Sequence, residues 1–131
     1  MENERRETNR PESLNLLDYV VVDEQGRLGE YGMGRTLNVS KGGILMEAHL
    51  ALLKGQRVMI TLELKNSLVN ITGKIVYVAY ENKMYRYGIE FSHLSDDDQR
   101  LLNAYVNIFH EYKLHQDAEQ EAVRRREAVG K

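Results

Sequence analysis

The chain lacks cysteine and tryptophan, has one proline among 131 residues, and contains no long apolar run. Without cysteine it can form no disulfide bond, no thiolate metal site and no thiol nucleophile. A membrane-spanning helix needs about 20 consecutive apolar residues, and no stretch approaches that length. The first residues, MENERRETNR, contain no apolar segment such as a secretory signal peptide requires. These absences predict a cytoplasmic protein with no membrane partner.

An excess of positive charge is also missing. Lysine and arginine number 18 against 20 acidic residues, which gives a net charge of -2. A protein that coats a nucleic acid polymer or an anionic membrane over its whole surface carries a positive excess. Any anion site must therefore be local. The hydrophobic fraction of 42% allows a packed core, and the length suits one domain.

Short apolar runs separated by turn-prone residues fill residues 14–91. The runs lie at 14–22, 44–48, 58–65, 71–79 and 85–91. Several alternate apolar and polar residues with period two, which is typical of half-buried strands. Gly29, Gly32 and Gly34 indicate a loop or a bulged strand after the first run. About six short strands at hairpin spacing predict an antiparallel sandwich or small barrel.

Residues 95–127 have helical periodicity. Ser95 is a favourable N-cap, and the three aspartates that follow it suit the positive end of the helix dipole. One apolar stripe is formed by Leu101, Leu102, Tyr105, Val106, Ile108, Phe109 and Tyr112. The stripe fades after Leu114, so residues 116–131 are predicted to be a charged helical extension or a tail. Pairing of this extension with another chain would give a homodimer.

No arrangement of side chains predicts a metal site or catalysis. His110 and His115 are five residues apart and so lie on different faces of a helix, unlike the zinc-binding H-E-x-x-H pair. Ser40 has no base near it in the sequence. We therefore predict that the protein is not an enzyme.

An arginine cluster, R-R-x-x-x-R, lies in the polar arm formed by residues 1–13. Its members are Arg5, Arg6 and Arg10, with acidic residues between and around them. The arginine fork matches phosphate oxygens and guanine edges, and its flat face can stack on a base. The alternative is a solvated terminus of mixed charge. In either case the arm has almost nothing to bury and is predicted to be flexible.

A second motif, N-x-S-x-x-G, lies between two predicted strands and consists of Asn38, Ser40 and Gly43. Asn and Ser side chains can bond to their own backbone in a turn, and glycine allows a close approach to the main chain. Exposed N–H groups in such a turn can bind an anion. A plain hairpin with glycine at the bend is the alternative.

The two motifs, in this order, resemble the PilZ domain family, the bacterial receptors for cyclic di-GMP (c-di-GMP). The resemblance extends to the segments LALLKGQRVMITLEL, ITGKIVYVA and YGIEF and covers roughly residues 5–110. It implies a six-stranded antiparallel β-barrel with a C-terminal helix over residues 14–115.

The resemblance also implies which residues bind the ligand. Arg6 and Arg10 match the family's R-x-x-x-R motif, which contacts phosphates and guanines. Asn38, Ser40 and Gly43 match its D/N-x-S-x-x-G motif, which holds one guanine; Asn38 takes the place often filled by Asp. In the family an extra arginine such as Arg5 often accompanies two stacked ligand molecules, so two molecules per site are expected.

The function implied is a stand-alone cytoplasmic receptor and adaptor for c-di-GMP. The arginine arm would close over the ligand and alter a surface for an unidentified effector protein. One alternative is a small barrel of the OB or cold-shock type that binds single-stranded nucleic acid, which the net charge of -2 disfavours. Another is a PilZ domain that binds protein alone, which the intact motifs disfavour.

Overall fold

The computed structural model describes residues 15–64 and 67–129. Its elements are β1 (Leu16–Val22), β2 (Leu28–Val39), β3 (Gly43–Ala48), β4 (Arg57–Leu64), β5 (Ser67–Glu81), β6 (Met84–Phe91) and one helix, α1 (Asp96–Val129). The strands pair antiparallel in the order β1-β2-β3-β6-β5-β4 and close into a barrel. The predicted six-stranded antiparallel barrel with a C-terminal helix is therefore confirmed.

The barrel interior is filled by alternate side chains of the strands. In β4 and β5, for example, Ile60 and Ile71 are fully buried, and the residues between the inward positions are at least partly exposed. This is the arrangement that period-two sequences predict, because successive side chains of a strand point to opposite faces. Burying an aliphatic side chain of this size contributes roughly 1.5–3 kcal/mol.

The helix closes one end of the barrel, which we call the helix end. Leu102, Tyr105 and Phe109 of α1 are buried in the core, as the predicted stripe requires. Ser95 caps the helix, since its Oγ accepts a hydrogen bond from the N–H of Asp98 at 3.1 Å. β1 begins at the helix end, and the β2–β3 turn and the end of β6 also lie there.

The opposite end, which we call the far end, is closed by residues 49–56 between β3 and β4. Leu52 is buried there. The hydroxyl of buried Tyr87 donates to the carbonyl of Leu50 at 2.6 Å and accepts from the N–H of Leu52 at 2.7 Å. Burial raises the pKa of Tyr87, so this hydroxyl stays protonated at neutral pH.

The second half of α1 is mostly exposed. The helix continues through this segment as far as Val129. Leu114 is 70% exposed, and Glu121 forms ion pairs with Arg124 and Arg125. Such pairs one turn apart support a solvated helix that has little to bury.

Candidate functional site

A bulge in β2 aims the N-x-S-x-x-G motif at the outer surface. Thr36 is buried, so strict alternation would bury Asn38 as well. The ladder instead pairs Thr36 with Met46 and Asn38 with Leu45, which leaves Leu37 as an extra residue. After this residue Asn38 and Ser40 are exposed, while Val39 is buried. The bulge therefore turns both polar side chains of the motif outward.

The β2–β3 turn is held by bonds within the motif. The N–H of Ser40 donates to the carbonyl of Gly43 at 2.8 Å. The Ser40 hydroxyl accepts from the N–H of Gly42 at 3.3 Å. Ser40 thus has a structural role in the turn, of the kind that serine side chains often take.

Glycine at position 43 is required by the neighbouring strand. A Cβ on Gly43 would lie 2.6 Å from the carbonyl oxygen of Ile89, which is far too close. At Gly42 a Cβ would meet nothing within 4 Å. The final glycine of the motif therefore permits β3 to pair closely with β6.

A groove of about 320 Å³ runs beside the turn on the outer face. Its described lining comes from β2, β3, β5, β6 and the turn: Asn38, Val39, Ser40, Gly42, Gly43, Ile44, Leu45, Val76, Gly88, Ile89 and Glu90. Val76 is an extra residue in the β5–β6 ladder, like Leu37 in the β2–β3 ladder. Two bulged strands therefore flank the groove, with β3 and β6 between them.

Among the described lining residues, Glu90 is the one ionisable side chain. Two arginines on the outer face of β2 and β6 are already paired: Arg35 and Arg86 both approach the carboxylate of Glu47, at 2.9 and 3.6 Å. Asn38 contributes an amide whose Oδ1 accepts from the N–H of Val39 at 2.9 Å. The described part of the groove thus offers an amide, a hydroxyl and one carboxylate, but no cation.

Side chains of α1 contact β2 on both sides of its bulge. Nε2 of His110 lies 2.8 Å from the carbonyl oxygen of Val39, inside the motif. The hydroxyl of Tyr105 lies 3.4 Å from Oγ1 of buried Thr36, and burial raises the pKa of Tyr105. The helix is therefore linked directly to the strand that carries Asn38.

The structure brings Asn38, Ser40 and Gly43 together at one groove. Arg5, Arg6 and Arg10 lie outside the described residues. Within the described ranges no group of histidine, aspartate and glutamate side chains is placed to hold a metal ion. In those same ranges no helix has the length and apolar character that crossing a membrane requires.

A family model gives the relation of this chain to known proteins. The model of the PilZ domain matches residues 4–107, which include both motifs and all six strands. The chain belongs to the PilZ domain family. No significant match is found among curated proteins.

Solved PilZ structures share this fold at low sequence identity. The Bacillus subtilis inhibitor of motility MotI/DgrA matches with a TM-score of 0.56 and 17% identity, over 76% of this chain and 48% of that one. Escherichia coli YcgR, solved in complex with c-di-GMP, matches with a TM-score of 0.53 and 13% identity, over 83% of this chain and 45% of that one. A tetrameric PilZ protein of Xanthomonas campestris, self-assembled through a helical bundle, matches with a TM-score of 0.50 and 15% identity. The match covers 68% of this chain and 49% of that one. The chain spans about half the length of each.

Sequence reasoning missed two features of this PilZ site. Period-two alternation in β6 indicates that Glu90 faces outward, but its place beside Gly43 depends on β3 pairing with β6. The contact between His110 and Val39 joins residues 71 positions apart. No local sequence pattern predicts that Glu90 lies beside Gly43 or that His110 contacts Val39.

Proposed function

We propose that this PilZ domain is a cytoplasmic receptor for c-di-GMP that binds the ligand in the groove beside Asn38 and Ser40. The observation that carries the proposal is the exposure of the N-x-S-x-x-G turn on a groove whose described lining holds no cation. A ligand with two phosphates needs cations, and Arg5, Arg6 and Arg10 lie just upstream in the sequence. The solved complex of YcgR with c-di-GMP supports this choice of ligand.

The chain length allows the arginines to reach the groove. Arg10 precedes Leu16, the first residue of β1, by six positions, which span up to about 20 Å when extended. β1 begins at the helix end, where it pairs with β2. The groove strand β3 is two strand spacings away, or roughly 10 Å. The arm is therefore long enough to close over a ligand bound beside the turn.

The chemistry of the ligand suits binding by two separate groups of residues, the arginines of the arm and the motif on the barrel. Arginine forks on residues 1–13 would bind the two phosphates through charge-assisted hydrogen bonds and stack on the guanines. The motif on the barrel would hold one guanine. Arg5, the additional arginine, is our reason to propose two stacked ligand molecules in the site.

We further propose that binding changes a surface for an effector protein, without catalysis. In this proposal residues 1–13 are the closing arm, 14–115 the receptor body and 116–131 the segment that faces a partner. The contact of His110 with Val39 joins the β2–β3 turn, which we call the ligand turn in this proposal, to α1, so a shift of the turn acts on the helix. A second copy of the chain is the simplest partner for that segment, and the helical assembly of the Xanthomonas campestris protein supports this idea.

Isothermal titration with c-di-GMP, beside single-stranded oligonucleotides, tests the function. We expect saturable binding of c-di-GMP, with two molecules per chain, and no binding of oligonucleotide. Arg10→Ala should lower the affinity at least tenfold because it removes a charge-assisted bond to phosphate. Arg5→Ala should lower the stoichiometry. The molecular mass of the protein in solution, measured with and without ligand, shows whether a dimer forms.

Arg27→Ala is the matched control, since Arg27 is an exposed arginine in the β1–β2 turn at the far end. It should bind as the unmodified chain does. Binding of oligonucleotide alone would favour the OB-like alternative. If Arg10→Ala leaves the affinity for c-di-GMP unchanged, Arg10 does not contribute to the site and the proposed role of the arm is wrong.

A further inference from the structure

The Asn38 amide leaves one edge of guanine without an obvious acceptor. Guanine carries N–H donors on its Watson–Crick edge and the acceptors O6 and N7 on another edge. A carboxylate at position 38 would accept from those donors. In this chain an amide stands there, and its Oδ1 already accepts from the N–H of Val39. Asn38 is therefore better placed to donate than to accept.

Glu90 places a carboxylate on the same groove. Its position is fixed from two sides, because Glu90 pairs with Gly43 in the β3–β6 ladder and the next residue, Phe91, donates its N–H to the carbonyl of Gly42 at 2.9 Å. The end of β6 is thus bonded to the ligand turn itself. The side chain of Glu90 is exposed at the groove.

The carboxylate of Glu90 is available to a ligand. Among residues 15–64 and 67–129 it forms no ion pair or hydrogen bond, although Lys74 is its neighbour across the β5–β6 ladder. An unpaired carboxylate repels an anionic ligand. In a groove that binds a dianion, such a group is unfavourable unless it makes a bond that compensates for the repulsion.

We propose that Glu90 determines specificity for guanine in this site, by accepting hydrogen bonds from the N1–H and 2-amino groups of one guanine. The assignment rests on the proposed binding of c-di-GMP. It gives Asn38 and Glu90 different roles: Asn38 donates and Glu90 accepts. Adenine presents an unprotonated N1 at the corresponding place, so the same carboxylate disfavours an adenine dinucleotide.

Three ligands and two variants test the assignment by titration. The ligands are c-di-GMP, cyclic di-IMP, whose hypoxanthine bases lack the 2-amino group, and cyclic di-AMP. The variants are Glu90→Gln and the control Glu24→Gln, which alters an exposed acid of the β1–β2 turn at the far end. Thermal unfolding of each variant checks that the fold is unchanged, as expected for exposed positions.

We expect the unmodified chain to prefer c-di-GMP over cyclic di-IMP by roughly tenfold or more, because a site built to bond a polar group rejects an analogue that lacks it. Glu90→Gln should lower the affinity for c-di-GMP by about tenfold and reduce that preference. The same change should raise the affinity for cyclic di-AMP. Glu24→Gln should reproduce the unmodified chain.

A higher affinity of Glu90→Gln for c-di-GMP would overturn the assignment. If Glu90 merely repels phosphate, Glu90→Gln strengthens binding of all three dinucleotides by the same factor. Unchanged affinities would also overturn it, while binding of c-di-GMP by the unmodified chain keeps the proposed function intact in both cases. Failure of the unmodified chain to bind any of the three removes the proposed function and this assignment together.

Discussion

The two ends of the barrel are closed by different means. At the far end the chain seals itself, with main-chain bonds between residues 55–56 and Ile75 at 2.7 and 2.9 Å and with the buried hydroxyl of Tyr87. At the helix end a separate element, α1, lies against the opening, and the side chains of Tyr105 and His110 contact β2. The motif of the proposed ligand site is found at the helix end.

The two ends differ in the kind of contact that would have to break for the molecule to change shape. The main-chain bonds of residues 55–56 at the far end extend the β4–β5 ladder, so we expect them to break only together with that strand pairing. Contacts made by side chains of α1 can rearrange while the barrel stays closed. The proposed receptor function requires a rigid body and a part that responds, and we assign these two roles to the far end and the helix end of the barrel.

The largest effect should come from breaking the strand pairing beside the ligand turn. Gly43→Ala places a Cβ against the carbonyl oxygen of Ile89, and we expect it to lower the free energy of unfolding by about 3 kcal/mol. Gly42→Ala, one residue earlier, meets no atom within 4 Å and should be neutral. Urea unfolding of both variants measures this, and equal stability of the two would show that β3 does not need glycine here.

A smaller effect should come from removing one hydroxyl at the far end. Tyr87→Phe leaves the buried N–H of Leu52 without its partner, which should cost about 2 kcal/mol of unfolding free energy. At the helix end, His110→Ala should cost about 1 kcal/mol or less, because water can replace a partly exposed bond. Tyr80→Phe is the control, since Tyr80 is 62% exposed. If His110→Ala destabilised the chain more than Tyr87→Phe, the contrast between the ends would be reversed.

The smallest effect should come from shortening the helix. Ending the chain after Asp117 removes residues that are exposed where the structure describes their side chains, so the unfolding free energy should change by less than about 0.5 kcal/mol. Thermal unfolding of the shortened chain measures this. A large loss would mean that the second half of α1 contributes to the core after all.

Local pattern was enough to predict most of the fold. Period-two alternation located the strands from residue 58 onward, and helical spacing located the stripe through Tyr112. The bulge at Leu37 was not predictable, because Thr36 and Asn38 are polar and do not reveal which of them is buried. The length of β5 was also underestimated, since the predicted run covers 71–79 and the strand extends from Ser67 to Glu81. The predicted alternation is interrupted at Val76, the extra residue in the β5–β6 ladder, so Tyr77 is exposed.

The candidate site was predictable only where it is local. Asn38, Ser40 and Gly43 lie within six residues, so the sequence places them in one turn. Glu90 joins them because β6 pairs with β3 rather than with β5 alone, and such an order of strands follows from the closure of the whole barrel. Local sequence patterns do not predict contacts between residues that lie this far apart in the chain.

The length of α1 has a mechanical consequence. Its 34 residues make a rod of roughly 50 Å, and the 17 residues beyond Tyr112 account for about 25 Å of it. A tilt of about 5° at the barrel would move the tip of that rod by roughly 2 Å. In the proposed mechanism the helix acts as a lever arm with its fulcrum on the barrel at His110, so a small displacement of the β2–β3 turn becomes a larger displacement at the tip.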